Sequence, residues 1–275
     1  MKKLCIYHGN CADGFTAAWV VNKKYPGIKL HAGVYGQEPP ACAGLDVIMV
    51  DFSYSREVLI RIAGQASSVL ILDHHQTAEK NLVGLPDNVT TYFDMYRSGA
   101  MMAWDYCFRG QPPSYLIKHV QDRDLWRFTI PGTKAFQANL FSYEYTLENW
   151  DSIADICADD YKYHEFIVAG ESIERKHLKD INEFINVASY RRDVAGYHVP
   201  VLNAPYFWSS DACHIMAQDE PFAACYWDTP TGRTFSLRSD KNGLDVAEIA
   251  ERFGGGGHKH ASGFQLPRAE DGDRL

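Results

Sequence analysis

The run Val69-Leu70-Ile71-Leu72 contains no polar residue and stops abruptly at Asp73-His74-His75. A short β-branched and leucine-rich run without polar alternation predicts a strand buried on both faces, as in a parallel sheet covered by helices. Ligands and reactive groups in such sheets gather at the carboxyl ends of the strands. Taken alone, an Asp-His-His there reads equally as a polar turn with its histidines bonded to backbone. Two other strand-like runs end the same way, and that turns the reading towards chemistry.

The first is Leu4-Cys5-Ile6-Tyr7, which leads into His8-Gly9-Asn10-Cys11-Ala12-Asp13-Gly14. Small and apolar residues at helical spacing then predict a helix over Phe15 to Lys24. The second is Asp46-Val47-Ile48-Met49-Val50, which ends in Asp51-Phe52-Ser53 and precedes a predicted helix from Arg56 to Ala63. Ile28 to Val34 reads as a further strand. Strand and helix in alternation imply right-handed crossovers and a mostly parallel sheet. His8 and Asp13, Asp51, and Asp73, His74 and His75 would then share one edge. Carboxylates crowded at one edge either take up protons or share divalent cations. Carboxylate with imidazole suits Mn, Fe, Co, Zn or Mg better than a thiolate-selected metal.

Farther on, Leu116 to Val120 predicts an apolar helix running into a loop that carries Asp122, Arg123 and Asp124. That loop offers either a fourth set of ligands or a local salt bridge. Phe136 to Asp160 is aromatic and acidic with weak helical spacing. Tyr161 to Asn186 has apolar residues at helical spacing with charge between them, which predicts a solvated connecting helix. The pattern changes near Asn186 to Ser189. Strands follow at Tyr190 to Val194, Tyr197 to Leu202, Phe222 to Trp227 and Thr234 to Arg238, with helices at Ser209 to Ala217 and Asp245 to Phe253. Gly254 to Gly257 then leads into His258 and Lys259. A glycine run is often a flexible linker. Its exposed N–H groups can also curl around an anion, with His258, Lys259 and Arg238 adding positive charge. The anion cradle is preferred.

The 275 residues suffice for one large domain or two ordinary ones. No apolar stretch approaches the eighteen residues of a membrane helix. The few apolar residues after Met1-Lys2-Lys3 are too short for a secretory signal. Seven scattered cysteines without a CxxC pair point to a reducing, cytoplasmic setting. A formal net charge of −8 argues against a surface that coats nucleic acid generally, and leaves room for a small basic pocket.

In order along the chain, HGNCADGF (8–15), VDFS (50–53), LDHH (72–75), DRDLWRF (122–128), SLRS (236–239) and GGGGHKHASGF (254–264) resemble the motifs of the DHH phosphoesterase superfamily with a DHHA1 domain. Each piece is weak alone; the ordered set is specific and spans almost the whole chain. The resemblance implies an α/β fold: a parallel-sheet DHH metal-binding domain with flanking helices over 1–160, a helical linker over 161–188, a smaller α/β DHHA1 substrate-binding domain over 189–268, and a loose tail over 269–275.

The resemblance also implies two Mn²⁺ ions, with Mg²⁺, Co²⁺ or Zn²⁺ as substitutes. Asp51 would bridge them. His8 would hold one ion, and Asp13, His74 and Asp124 the other, with Asp122 as runner-up to Asp124. Asp73 would orient ligands, and His75 would contact phosphate. Arg238, Gly255, Gly256, Gly257 and His258 would hold the far end of the substrate. The implied reaction is hydrolysis of short single-stranded oligonucleotides or of linear or cyclic dinucleotides by a water activated between the ions, with Asp51, His74 and His75 as the catalytic set. Tyr54 and Trp126 are aromatics available to stack a base, although such residues more often serve packing. No membrane partner is expected, and a homodimer is left open.

One departure stands out. The family carries two Asp in its first motif and this chain has only Asp13, with Asn10, Cys11 or Ala12 where the other would be. Asn10, Cys11 or a water would substitute, or that ion would bind weakly. A phosphomonoesterase or pyro/polyphosphatase is the alternative within the superfamily. A nucleotide-binding sensor with weakened catalysis is the alternative outside enzymes.

Overall fold

A computed structural model describes residues 2–267. The expected loose tail over 269–275 lies outside the described residues. The elements in order are β1 (Lys3–His8), α1 (Ala12–Lys24), β2 (Lys29–Gly33), β3 (Asp46–Val50), α2 (Arg56–Ala63), β4 (Ser68–Asp73), α3 (Gln76–Asn81), β5 (Val89–Phe93), α4 (Gly99–Cys107), α5 (Tyr115–Asp124), α6 (Thr133–Leu140), α7 (Leu147–Ile156) and α8 (Asp160–Ala188). There follow β6 (Tyr190–Val194), β7 (Tyr197–Asn203), α9 (Tyr206–Met216), β8 (Ala223–Thr229), β9 (Gly232–Arg238), α10 (Val246–Glu251), β10 (Gly256–His258) and β11 (Ala261–Pro267).

The chain divides into two compact units, 1–175 and 176–275, with the division inside α8. The first unit holds a five-stranded parallel sheet in the order β2-β1-β3-β4-β5. Neighbouring side chains of its central strands go to opposite faces, as pleated backbone requires. Cys5, Ile48, Val50 and Leu72 pack with α1, α4, α5 and α7 on one face. Leu4, Ile6, Val47, Met49, Val69 and Ile71 pack with Leu59 and Ile62 of α2 on the other. This two-faced burial explains why these strands read as unbroken apolar runs. The second unit holds a mixed sheet in the order β10-β11-β9-β8-β7-β6, in which only β7 and β8 run parallel. One face carries α10, and the other carries α9 and the end of α8.

Three local expectations change. α1 starts at Ala12 rather than Phe15, so Asp13 lies in its first turn, where a carboxylate complements the helix dipole. Asp122 and Asp124 lie in the last turn of α5 and not on a loop. The glycine run is no free linker. Gly254, at φ +77°, is the left-handed residue that ends α10. Its N–H bonds the Glu251 carbonyl at 3.0 Å, and the Gly255 N–H bonds the Ala250 carbonyl at 2.9 Å. This is a Schellman cap. Gly256 and Gly257 continue as β10, paired with Gly263 and Ser262.

Candidate metal centre

Adjacent parallel strands bring their carboxyl ends together, and with them the chemical residues. β1 ends at His8, β3 runs into Asp51, and β4 ends at Asp73 followed by His74 and His75. Asp51 takes a left-handed backbone, φ +55°, as the chain turns out of β3. Asp tolerates that conformation better than most residues. α1 adds Asp13 and α5 adds Asp124.

His74 is the hub. Its Nε2 lies 2.9 Å from Asp51 Oδ1, 3.6 Å from Asp124 Oδ2 and 3.9 Å from Asp13 Oδ2. Burial would lower the pKa of this imidazole, but the charges of Asp124, Asp51 and Asp13 outweigh it and lift the pKa to about 10. A proton therefore sits where three carboxylates converge, in the absence of a cation. Burial, then the charges of Asp51 and Asp124, push the Asp13 carboxyl well above the usual range. Burial works the same way on Asp51, yet bonding to His74 and His8 holds it well below that range. Asp124 is raised by burial and by Asp51 against the attraction of His74.

The remaining groups hold these in place. The N–H groups that open α4 grip Asp13: Gly99 N donates to Oδ2 at 2.5 Å, and Ala100 N to Oδ1 at 3.0 Å. A Cβ on Gly99 would come within 2.9 Å of both Asp13 Oδ2 and the Asp51 Cα, so the helix approaches this closely only because residue 99 has no side chain. Asp73 is fully buried. Its Oδ1 accepts from the His74 N–H at 2.7 Å and bonds His75 Nδ1 at 2.7 Å, while Ser53 Oγ donates to Oδ2 at 2.5 Å. That leaves Nε2 of His75 as the ring atom for another partner.

Ligand atoms of Asp13, Asp51 and His74 lie within 4.8 Å of one another, and so do those of His8, Asp51 and His75. Asp51 belongs to both sets. The donors are oxygen and imidazole nitrogen, the chemistry of Mg, Mn, Co or Zn. Clustered, buried carboxylates of this kind are the setting that a divalent cation neutralises.

Some expected site residues stand elsewhere. Asp122, the runner-up ligand, is fully committed to the loop after α5. Its Oδ1 accepts from Thr129 N at 2.9 Å and Thr129 Oγ1 at 2.8 Å, and its Oδ2 from Ile130 N at 3.1 Å and Thr133 Oγ1 at 2.6 Å. Four donors leave it no free position towards an ion. Asn10 is exposed with φ +56° and makes no hydrogen bond to the cluster. Cys11 precedes α1 beside the carboxylates. Burial, then Asp51, Asp124 and Asp13, push its pKa well up. Tyr54 is 5% exposed and has no face for a base. Trp126 has the Arg123 guanidinium 4.1 Å from its ring centre.

In the second unit, Arg238 Nη1 donates to Ser236 Oγ at 3.0 Å and to the Leu237 carbonyl at 2.8 Å. Two N–H groups of the glycine run, those of Gly254 and Gly255, are spent on the α10 cap and cannot curl around an anion.

Sequence reasoning missed Ser53, Gly99 and Tyr35. Ser98-Gly99 ahead of the apolar Ala100 to Ala103 is a helix-start signal, and Ser98 Oγ does accept from Met101 N at 3.3 Å. Tyr35, 52% exposed, sets its ring 5.5 Å from that of His8 and 6.5 Å from that of His75. No local pattern announced it.

Residues 210–275 match the DHHA1 domain. The chain is 28% identical over 291 residues to an uncharacterized protein of Acanthamoeba polyphaga mimivirus, covering 94% of this chain and 66% of that one, just under two thirds of the relative's length. Its fold is similar to that of RecJ from Thermus thermophilus in complex with Mn²⁺: TM-score 0.50, 13% identity, 96% of this chain and 49% of RecJ. It is also similar to PggH of Vibrio cholerae, described as a pGpG-specific phosphodiesterase: TM-score 0.48, 16% identity, 97% of this chain and 94% of that one. Among the described residues, no helix is long and apolar enough to cross a membrane.

Proposed function

We propose that this protein is a metal-dependent phosphodiesterase of the DHH/DHHA1 kind that cleaves short oligonucleotides or dinucleotides to mononucleotides. The observation that carries this reading is the convergence of three carboxylates on one imidazole nitrogen, with Asp51 common to two ligand sets. Asp13, Asp51, His74 and Asp124 would hold one ion; His8 and Asp51 would hold the other, with His75 in reach of the same place. When bound, such ions supply Lewis acidity, activate water near neutral pH and neutralise charge on the phosphoryl group. Mn²⁺ is the first choice, in keeping with the ion in the RecJ crystal, and Mg²⁺, Co²⁺ or Zn²⁺ also suit the donors.

The chain's own residues do the positioning. α4 locks Asp13 through two N–H groups. Asp73 keeps the proton on Nδ1 of His75 and leaves Nε2 to face an ion or a phosphoryl oxygen, the arrangement by which outer carboxylates orient ligand histidines. Arg238, Gly256, Gly257 and His258 of the DHHA1 unit would contact the substrate. We assign 1–160 to metal binding, 161–188 to connection and 189–268 to substrate binding.

The test is a hydrolysis screen with Mn²⁺ over di- to decanucleotides, linear and cyclic dinucleotides, polyphosphate and phosphomonoesters. Mononucleotide release that a chelator abolishes is the expected result. Orthophosphate from polyphosphate or monoesters alone would replace this reading by the phosphatase one. Tight nucleotide binding with about one ion per chain and no turnover would favour the sensor, the reading suggested by Cys11 standing near the place of an acid.

A further inference from the structure

A cavity of about 440 Å³ is lined by Asp94, Tyr96, Arg97, Met101, Gln121 and Arg127. Its size is that of a small-ligand site. Short chain connections tie three of these residues to the metal cluster. Asp94 directly follows β5, next to the end of β4, and its N–H points to the Asp73 carbonyl at 3.4 Å. Arg97 stands two residues before Gly99, whose N–H grips Asp13. Arg127 stands three residues after Asp124, so its Cα is at most about 11 Å from that of Asp124.

The backbone around Arg127 is forced. Trp126 and Phe128, on either side of it, take left-handed conformations at φ +54° and +49°. For bulky aromatic residues these are costly and persist only where the surroundings impose them. Here the surroundings are plain. The Asp122 carbonyl accepts from Arg127 N at 2.8 Å, and the Asp122 carboxylate holds Thr129 and Ile130. Arg123 packs on the Trp126 ring, and Trp126 meets Phe128 edge-on at 4.9 Å. The outcome is an exposed Arg127 whose Nη2 donates to the Tyr96 carbonyl at 2.7 Å and which forms no ion pair among the described residues. Arg97, by contrast, is shared with Asp94 and Asp105. Tyr96, 80% exposed, offers an open ring on the same wall.

We propose that this cavity is an anion subsite in which Arg127, backed by Arg97, holds a second, non-reacting phosphate of the substrate. A fixed guanidinium is suited to phosphate because its planar fork donates two parallel bonds. Such a contact would select nucleotides that carry a terminal phosphate beside the scissile bond. The inference takes its substrate class from the phosphodiesterase reading.

The experiment compares ApA with its terminally phosphorylated forms pApA and ApAp in the full-length protein with Mn²⁺. The unaltered protein should cleave one phosphorylated form at least about tenfold more efficiently, as kcat/KM, than ApA. Arg127→Gln and Arg127→Lys should each shrink that ratio, the first to about one, through KM more than kcat. Melting temperatures of both variants guard against misfolding. A purely structural Arg127 would lower rates on all three dinucleotides alike; that result, or a ratio near one in the unaltered protein, overturns the subsite. If nothing is hydrolysed, the phosphodiesterase reading fails separately. Equilibrium binding of the three dinucleotides without metal then decides: a phosphate-dependent gain lost in Arg127→Gln supports the subsite, and equal affinities overturn it.

Discussion

His74 Nε2 and Asp51 Oδ1 meet at 2.9 Å at the carboxyl edge of the sheet, both side chains almost wholly buried. Two neighbouring strands each contribute one end of that contact, so sheet pairing itself sets the distance. The contact makes Asp51 the group whose loss should be felt most widely.

Asp51→Asn should abolish metal binding and turnover while the protein stays folded. Asn accepts the left-handed backbone at φ +55° as readily as Asp does. What disappears is the charge common to both ligand sets. Metal content after dialysis, set beside a melting curve, checks this; a variant that retains two ions per chain would remove Asp51 from the bridge.

Asp122 and Asp124 should behave oppositely although one residue separates them. Asp122→Asn replaces one accepting oxygen by an NH2 group, sets it against two of the four donors and should cost about 2–3 kcal/mol of stability. Asp124→Asn should change stability by less than about 1 kcal/mol and lower metal affinity at least about tenfold. Urea unfolding and metal titration on both variants give the crossed comparison.

Gly99→Ala should disable the centre without touching a ligand. The new methyl would press on Asp13 and on the Asp51 backbone, and neither can retreat easily. Overpacking of this kind costs about 1–3 kcal/mol. The expected readouts are a lower melting temperature and weaker metal binding together; an unchanged melting temperature would count against the tight approach of α4.

Stability should fall on acidification through His119. This fully buried ring bonds Thr133 Oγ1 through Nδ1 at 2.8 Å and Tyr163 OH through Nε2 at 2.5 Å. The Thr133 hydroxyl donates to Asp122, so Nδ1 of His119 donates to Thr133, and in the neutral ring Nε2 accepts from Tyr163. Burial takes its pKa down to about 4, against a smaller opposing pull from Asp122. The unfolded chain binds the proton below about pH 6.5 and the folded chain only below about 4. The stabilisation is therefore intact above pH 6.5 and is lost on the way down to pH 4, by up to about 3 kcal/mol. Urea midpoints at pH 7 and 4.5 should differ more in the unaltered protein than in His119→Phe.

Much of this architecture was legible because buried parallel strands leave a plain trace. Val47 to Val50 and Val69 to Leu72 are apolar throughout, and the residues that interrupt them are the ones at the sheet edge. The long helix α8 was legible from its spacing. β5 was overlooked: Val89-Thr90-Thr91-Tyr92-Phe93 is half polar, as an edge strand is, and matched no buried pattern. The resemblance ranked Asp124 above Asp122, but the physical cause of their division was hidden. Both are acidic and close in sequence, and the turn at Thr129 to Thr133, folded back on α5, is what commits Asp122. The glycine run, preferred from sequence as an anion cradle over a flexible linker, gave no sign of its structural duties: the end of α10 claims Gly254 and Gly255, and pairing with β11 claims Gly256 and Gly257.

The alternation of side chains along β3 ties the reactive edge to the two layers beneath it. Met49 faces one layer and Val50 the other, with Asp51 next in line. Deleting a single residue between Asp46 and Val50 would invert which layer each side chain enters and draw Asp51 back by about 3.3 Å. Drift in the length of this segment is therefore closed to the protein.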